Sequence, residues 1–261
     1  MTHSTNVLVP QSPEEAVASF GDGAGITVVA GGTIVMPELS SGRLRPERAL
    51  VLANAGLDGI SAANGAVTIG ATTPVLALVG ATPEPLSTFA AYVGDYEIRS
   101  QATIGGNLCA PPGPESPRGD LQAPLLALGA RIRSAGAGGE RTEPVEDFLA
   151  GGEGRLVLAI EVDEPTSSGA SAIGRPHAHN YTIMAVAAAA GADGVRVAVT
   201  GAGPRAQRLP SVEQALAGGA DATAAAAKAT DDVTPADDAL ASAWYRARML
   251  PRLVEQALSQ L

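Results

Sequence analysis

Two double glycines constrain this chain more than any other feature: "VVAGGTIVMP" at residues 28–37 and "QATIGGNLCA" at residues 101–110. Glycine has no Cβ, so its backbone can approach another group closely and can take φ > 0. Successive N–H groups in such a turn form a concave donor nest that suits an anion, phosphate above all. Gly31-Gly32 ends the short β-branched run "GITVVA", which reads as a buried strand, and loops after such strands commonly bind ligands. Thr33 adds a hydroxyl. Thr103, Gly105, Gly106 and Asn107 repeat the set: a hydroxyl, two bare backbone units and a side-chain amide. Either segment alone also suits a tight turn or a bulge. The dinucleotide fingerprint G-x-G-x-x-G is absent, because "GDGAGI", "GAGGER" and "GAGPRA" all lack the third glycine.

Charge and residue usage narrow the chemistry. The formal net charge is −10, which argues against a nucleic-acid surface. A chain of that charge can hold a diphosphate only through a local array of neutral N–H dipoles. The one lysine, Lys228, sits among alanines, so no P-loop is present. Cys109 is the sole cysteine, which excludes an intramolecular disulfide and a cysteine-ligated zinc or iron–sulfur centre. His3, His177 and His179 show no metal-ligand spacing. Redox chemistry here therefore needs an organic cofactor, with any metal centre on a partner. No apolar run is long enough for a membrane span, and the N-terminus lacks a basic start followed by an apolar stretch. The expectation is a soluble, cytoplasmic protein.

The pattern along the chain is α+β. Ser12, Pro13 and Glu15 open a helix with a capping box. Residues 25–30, 48–54, 65–71 and 155–162 read as strands. Thr73 and Pro74 read as the cap and first residue of a helix. "DLQAPLLALGARIRSAG" combines a helix with a strand, and "GAGGE" is a polar turn. The Gly-, Ser- and Pro-rich stretch 163–180 lacks apolar periodicity and reads as a domain boundary. After it, Asp193-Gly194 between two apolar runs signals a hairpin. A final helix is expected from a Thr234 cap with Pro235 and Asp237 in its first turn, with Pro251 kinking or restarting it. Aromatics make up only 3% of the residues, so the core must be aliphatic. The resulting outline is a domain over 1–170, with subdomains of about 1–57 and 58–170, followed by a smaller antiparallel sheet-and-helix domain over 171–261.

Taken together, "VVAGGTIVMPEL" and "EIRSQATIGGNLC" resemble the FAD-binding (medium) subunits of molybdenum hydroxylases, of the carbon monoxide dehydrogenase and xanthine dehydrogenase type. The likeness runs on through "LDGISAANGAVTIGATTPVLAL", "DLQAPLLALGARI", "EDFLAGG", "GAGPRAQRLPSVEQALAG" and "DDALASAWYRARMLPRLVEQAL", covering nearly the whole chain. The resemblance implies FAD between two subdomains. Val29, Ala30, Gly31, Gly32, Thr33 and Ile34 wrap its pyrophosphate, and Ala102, Thr103, Ile104, Gly105, Gly106 and Asn107 hold it from the other side. Asp120 matches a family aspartate that hydrogen-bonds the cofactor, and Val157 a position packed near it. The implied partners are a [2Fe–2S] small subunit and a molybdopterin large subunit, assembled as a dimer of heterotrimers. Electrons then leave the flavin for NAD, oxygen or another acceptor. No catalytic side chain and no metal site on this chain is implied. A self-sufficient FAD-dependent oxidase or reductase of the same fold and a flavin-free scaffold subunit are the alternatives.

Two departures from the family pattern stand out. "LCAPPGPESPRGDL" lengthens the spacing from Asn107 to Asp120, with prolines at 111, 112, 114 and 117 stiffening it. "ASAIGRPHAHN" at 170–180 has alanine and proline where the family often has lysine and arginine near the flavin. Among other residues, Cys109 reads as a small buried hydrophobe, and His177 and His179 as exposed loop residues. Arg99 reads either as a phosphate or partner contact or as a clamp on backbone carbonyls. Trp244 and Tyr245 read as packing for the last helix, with a neighbouring subunit as the alternative. Asp231, Asp232, Asp237 and Asp238 read as a solvated acidic face.

Overall fold

The computed structural model describes residues 5–112, 119–152, 154–174 and 182–261. His3, His177, His179, Pro114, Pro117 and the 175–180 part of the altered stretch lie outside the described residues. The fold is α+β, built as three sheets in chain order.

The first unit holds β1 (Asn6–Leu8), α1 (Pro13–Phe20), β2 (Ile26–Val29), α2 (Val35–Ser40) and β3 (Arg48–Val51). Its strands are parallel in the order β1-β3-β2. The Ser12 hydroxyl accepts from Glu15 N–H, so the expected cap forms, while the Glu15 carboxylate accepts from Gln11 N–H, one residue before the position that would close the expected capping box. Ala16 and Phe20 of α1 pack with Leu50 and Leu52 in a small core of their own.

The second unit runs from β4 (Ile60–Ala63) and β5 (Ala66–Gly70) through five short helices, α3 (Val75–Leu78), α4 (Leu86–Tyr92), α5 (Tyr96–Gln101), α6 (Ile104–Leu108) and α7 (Gln122–Ala127). It closes with β6 (Arg131–Ala135), β7 (Arg141–Pro144), α8 (Val145–Gly151) and β8 (Leu156–Asp163). The sheet is antiparallel, in the order β4-β5-β8-β6-β7. β8 is its central strand, and Leu156 to Ile160 are buried on both faces. Thr73 does not cap α3. Pro74 holds that position, while the buried Thr73 hydroxyl donates to Gly59 O and accepts from Gly59 N–H. It is used to close the β4–β5 hairpin onto α3.

The third unit comprises β9 (Ser167–Gly174), β10 (Thr182–Gly191), β11 (Gly194–Thr200), β12 (Gln207–Arg208), α9 (Pro210–Ala217), α10 (Ala222–Ala226) and α11 (Ala243–Leu258). β9 runs through the stretch expected to be a boundary, and a break after residue 170 would cut it. It pairs with β10 over most of its length, so small residues of low periodicity form a strand because a neighbour supplies the ladder. The Asp193-Gly194 hairpin forms, with Gly191 opposite Gly194. β10 is covered on both faces. Met184, Val186 and Ala188 join the core under α11, while Ala185, Ala187 and Ala189 join the core shared with α7. Alanine is a poor strand former in general; here its small side chain lets a helix lie close against the sheet.

The last helix starts later than expected. Ser242, not Thr234, is the cap, and its hydroxyl accepts from Tyr245 N–H. Asp237 and Asp238 instead accept from the N–H groups of Ala243, Leu240 and Ala241, a local pattern that competes with helix. Pro251 lies inside α11 without ending it. The helix continues because Leu250, Leu253, Val254 and Ala257 are all buried along one stripe.

The acidic run is not a solvated face throughout. The Asp238 side chain is 0% exposed and pairs with Arg246, 1% exposed, at 2.6 Å. Asp232 bonds Ser211. Tyr245 packs against the C-terminal core, whereas Trp244 is 71% exposed and packs little.

Candidate functional site

The first glycine loop leaves β2 and enters α2. Gly32 has φ +73°, a left-handed conformation that a side chain rarely adopts. Gly31 is required for a different reason. A Cβ there would lie 2.0 Å from the carbonyl oxygen of Gln101. The first loop thus rests directly on the chain entering the second, and the two segments converge. The N–H groups of Gly32, Thr33, Ile34 and Val35 donate to no acceptor among the described residues, which leaves four successive donors unused within the protein.

The second glycine segment differs from its expected form. It is a helix turn, α6, rather than an open nest. The Thr103 hydroxyl caps it by accepting from Gly106 N–H at 3.1 Å. Ile104 N–H donates to Thr73 O, Gly105 N–H to Ala71 O and Asn107 N–H to Thr103 O. Its amides are therefore used within the protein. Gly105 is bare because a Cβ would come within 2.7 Å of Ala71 O: α6 lies against the end of β5. The Asn107 Oδ1 accepts from buried Leu121 N–H at 2.8 Å, and Gln122 Nε2 donates to Leu108 O at 2.8 Å. These bonds hold α6 against the start of α7.

Between the segments lies a cleft of about 490 Å³, within the range of small-molecule sites. Ala30, Gly31, Gly32, Thr33 and Ile34 form one wall. Ala102, Thr103, Gly105, Gly106 and Asn107 form the facing one, and Asp120 and Val157 also reach it. Val29 and Ile104 do not line it. Both are buried behind the loops, where they anchor β2 and α6.

Cys109 lines the cleft and is exposed rather than core. The surrounding protein still desolvates its thiol, which is pushed up to about 11, so it stays protonated at neutral pH.

Several cleft residues carried no signal in the sequence. Ile26 and Val28 of the first unit supply apolar wall, and Tyr92, Gly94 and Ile98 form the opposite rim. Burial, reinforced by the Glu84 charge, pushes the Tyr92 phenol above its ordinary range. Arg99 is the clamp foreseen as one alternative: its Nη1 donates to the carbonyls of Ala91, Val93 and Gly94 and so sets the rim. Arg155 also lines the cleft, but its guanidinium is spent on Ser134, Ala137 and Gly139. Desolvation, with Arg141 nearby, lowers its pKa. Thr182, from the third unit, completes the wall.

A cleft lined both by amides without an acceptor among the described residues and by aliphatic side chains fits a dinucleotide. The amides match a pyrophosphate and the walls match planar rings. The fold and the cleft together fit a protein that binds a nucleotide cofactor. Residues 3–164 match the FAD-binding domain in molybdopterin dehydrogenase, and the chain belongs to that family. It is similar to the alpha subunit of the 6-hydroxypseudooxynicotine dehydrogenase complex of Paenarthrobacter nicotinovorans, with 28% identity over 98% of this chain and 94% of the relative. It is 28% identical to the carbon monoxide dehydrogenase medium chain of Hydrogenophaga pseudoflava, over 96% and 94% of the two chains. A solved carbon monoxide dehydrogenase from Hydrogenophaga pseudoflava superposes with a TM-score of 0.85 at 26% identity, covering 100% of this chain and 98% of that one. The chain is a FAD-binding, medium-type oxidoreductase subunit of the molybdenum hydroxylase family.

Proposed function

We propose that this chain carries electrons within a molybdopterin-dependent hydroxylase. It would receive them from a [2Fe–2S] small subunit and deliver them to NAD, oxygen or another acceptor, beside a large subunit holding the molybdopterin. The assembly is a dimer of heterotrimers in the cytoplasm. No helix among the described residues is long and apolar enough to cross a membrane. The observation that carries the reading is the convergence of the two glycine segments on one cleft, with the amides of Gly32 to Val35 left for a ligand.

When bound, FAD supplies one- and two-electron chemistry. The protein's part is to bind and orient it. In this reading the Gly32–Val35 amides and the Thr33 hydroxyl hold the pyrophosphate. Thr103, Gly105, Gly106 and Asn107 form the rigid facing wall, Asp120 adds a polar contact, and Val157 packs against the cofactor. The FAD-binding unit ends near residue 164, in the turn between β8 and β9.

Purified chain titrated with FAD should develop a bound-flavin spectrum, and a denatured extract should contain FAD rather than FMN. Protein that stays colourless and takes up no FAD would refute the reading. Copurification from the native source should bring iron–sulfur and molybdenum subunits with it; a flavoprotein isolated alone and active by itself would refute the electron-carrier role.

A further inference from the structure

The buried Arg246–Asp238 pair lies far along the chain from the glycine loops, yet it bonds the strand that carries one residue of the cleft wall. Arg246 Nη2 donates to Asp238 Oδ1 at 2.6 Å. The same oxygen accepts from the N–H groups of Leu240 and Ala241 at 2.8 and 2.9 Å, so the carboxylate is held from three directions. Arg246 Nη1 reaches into the sheet, donating to Ile183 O at 2.7 Å and also to Gly201 O.

Ile183 is where the sheet departs from regularity. Thr182 pairs with Gly174 and Met184 with Ile173, so Ile183 is one extra residue in β10. Such a bulge reverses the alternation of side chains beyond it. The reversal is visible in the packing: Ile183 and Met184, adjacent in sequence, both enter the core under α11. Regular alternation would turn Thr182 into that core as well. With the bulge, Thr182 faces the other way. It lines the cleft and its hydroxyl donates to Tyr92 O on the rim at 3.4 Å.

We infer that Arg246, fixed by Asp238, is a positioning residue for the cofactor cleft: it holds the Ile183 bulge that turns Thr182 toward the bound cofactor. The inference rests on the FAD reading above. A merely stabilising role is a poor account of the pair. Buried ion pairs stabilise little relative to well-packed apolar residues, and here Asp238 Oδ2 and Arg246 Nε have no hydrogen-bond partner among the described residues. What the pair does provide is a fixed position for one strand carbonyl.

The test compares Thr182→Val, Arg246→Lys, their double variant and Leu258→Ala, a core truncation at the far end of α11. FAD affinity and the visible flavin spectrum are read on the full chain, with hydrogen exchange at residues 182–184 in the FAD-free protein. Thr182→Val and Arg246→Lys should each weaken FAD binding about fivefold, the effect of losing the one hydrogen bond that ties Thr182 to the Tyr92 rim of the cleft, and shift the flavin band in the same direction. The double variant should lose no more than either single one. Leu258→Ala should lower stability and leave affinity and spectrum unchanged. Should Arg246→Lys fail to fold, Asp238→Asn replaces it. Wild-type affinity and spectrum in Thr182→Val, multiplying effects in the double variant, or the same spectral shift in Leu258→Ala would each overturn the inference. Wild-type protein that binds no FAD would instead sink the FAD reading. The bulge is then judged by exchange alone, where unchanged protection at 182–184 in Arg246→Lys overturns it.

Discussion

Replacing Gly31 by alanine puts a methyl group where the Gln101 carbonyl already is. The added Cβ would sit 2.0 Å from the oxygen and 2.8 Å from the carbonyl carbon. Ordinary contact begins near 3.4 Å, so one backbone segment must retreat by well over an ångström. Both obstructing groups are main chain, and neither can escape by a rotamer change. Overpacking of this kind costs about 1–3 kcal/mol, and the rigidity of both partners places this substitution toward the upper end. Urea unfolding of the FAD-free protein should show that loss at unchanged m, with a fall in Tm of roughly 2–4 °C per kcal/mol. If the loops separate to relieve the clash, FAD must restore their approach on binding, and 2 kcal/mol of that work would weaken its affinity about 30-fold. FAD-free Gly31→Ala protein as stable as the wild type, with only FAD binding impaired, would refute the reasoning. Gly31 would then be bare for the ligand and not for the neighbouring segment.

Asn107→Ala should cost about 1–3 kcal/mol in denaturant unfolding, because it strands the buried Leu121 N–H; wild-type stability would show that this bond does not tie α6 to α7. Cys109, with its thiol pushed up to about 11, should react with iodoacetamide at pH 8 about a hundredfold more slowly than a free cysteine, and a rate near that of the free thiol would contradict the desolvation. For Asp238, burial alone pushes the carboxyl up, but the Ala241 and Leu240 N–H groups and Arg246 outweigh it and hold the pKa below the ordinary value. Its stabilising effect is therefore present above the unfolded value of about 4 and is lost as pH falls through the lower folded value. The stability gap between wild type and Asp238→Asn should be constant near neutrality and shrink below about pH 4; a gap unchanged from neutral to acid pH would contradict the assignment.

Much of the fold was legible because the signals were local. The Ser12 cap, the strands before Gly31 and through 155–162, and the Asp193-Gly194 hairpin follow from residues within a few positions of one another. The errors arose where a distant partner decided the outcome. β9 is a strand because β10 lies beside it. Thr73 was diverted from capping by Gly59. Asp237 and Asp238 delayed α11 by bonding the N–H groups of Leu240, Ala241 and Ala243. In the site, the glycine segments were found because glycine marks close approach, although what approaches Gly31 and Gly105 is protein backbone. Tyr92, Ile98, Arg155 and Thr182 left no trace, since nothing in their local pattern distinguishes a cleft wall from any other surface.

By itself, then, the amino-acid order determined where the backbone had to be bare, where the locally signalled strands and the Ser12-capped helix lie, and which chemistries the chain could not perform with one cysteine and one lysine. Tertiary structure alone decided that the two bare segments meet, that only the first leaves its amides without an acceptor among the described residues, and that a buried arginine on the last helix bonds the carbonyl next to a threonine of the same cleft. The physical reason is range. Torsional preference and capping act over a few residues, whereas an amide's partner, a side chain's burial and a bulge's direction depend on groups brought near only when the chain has folded.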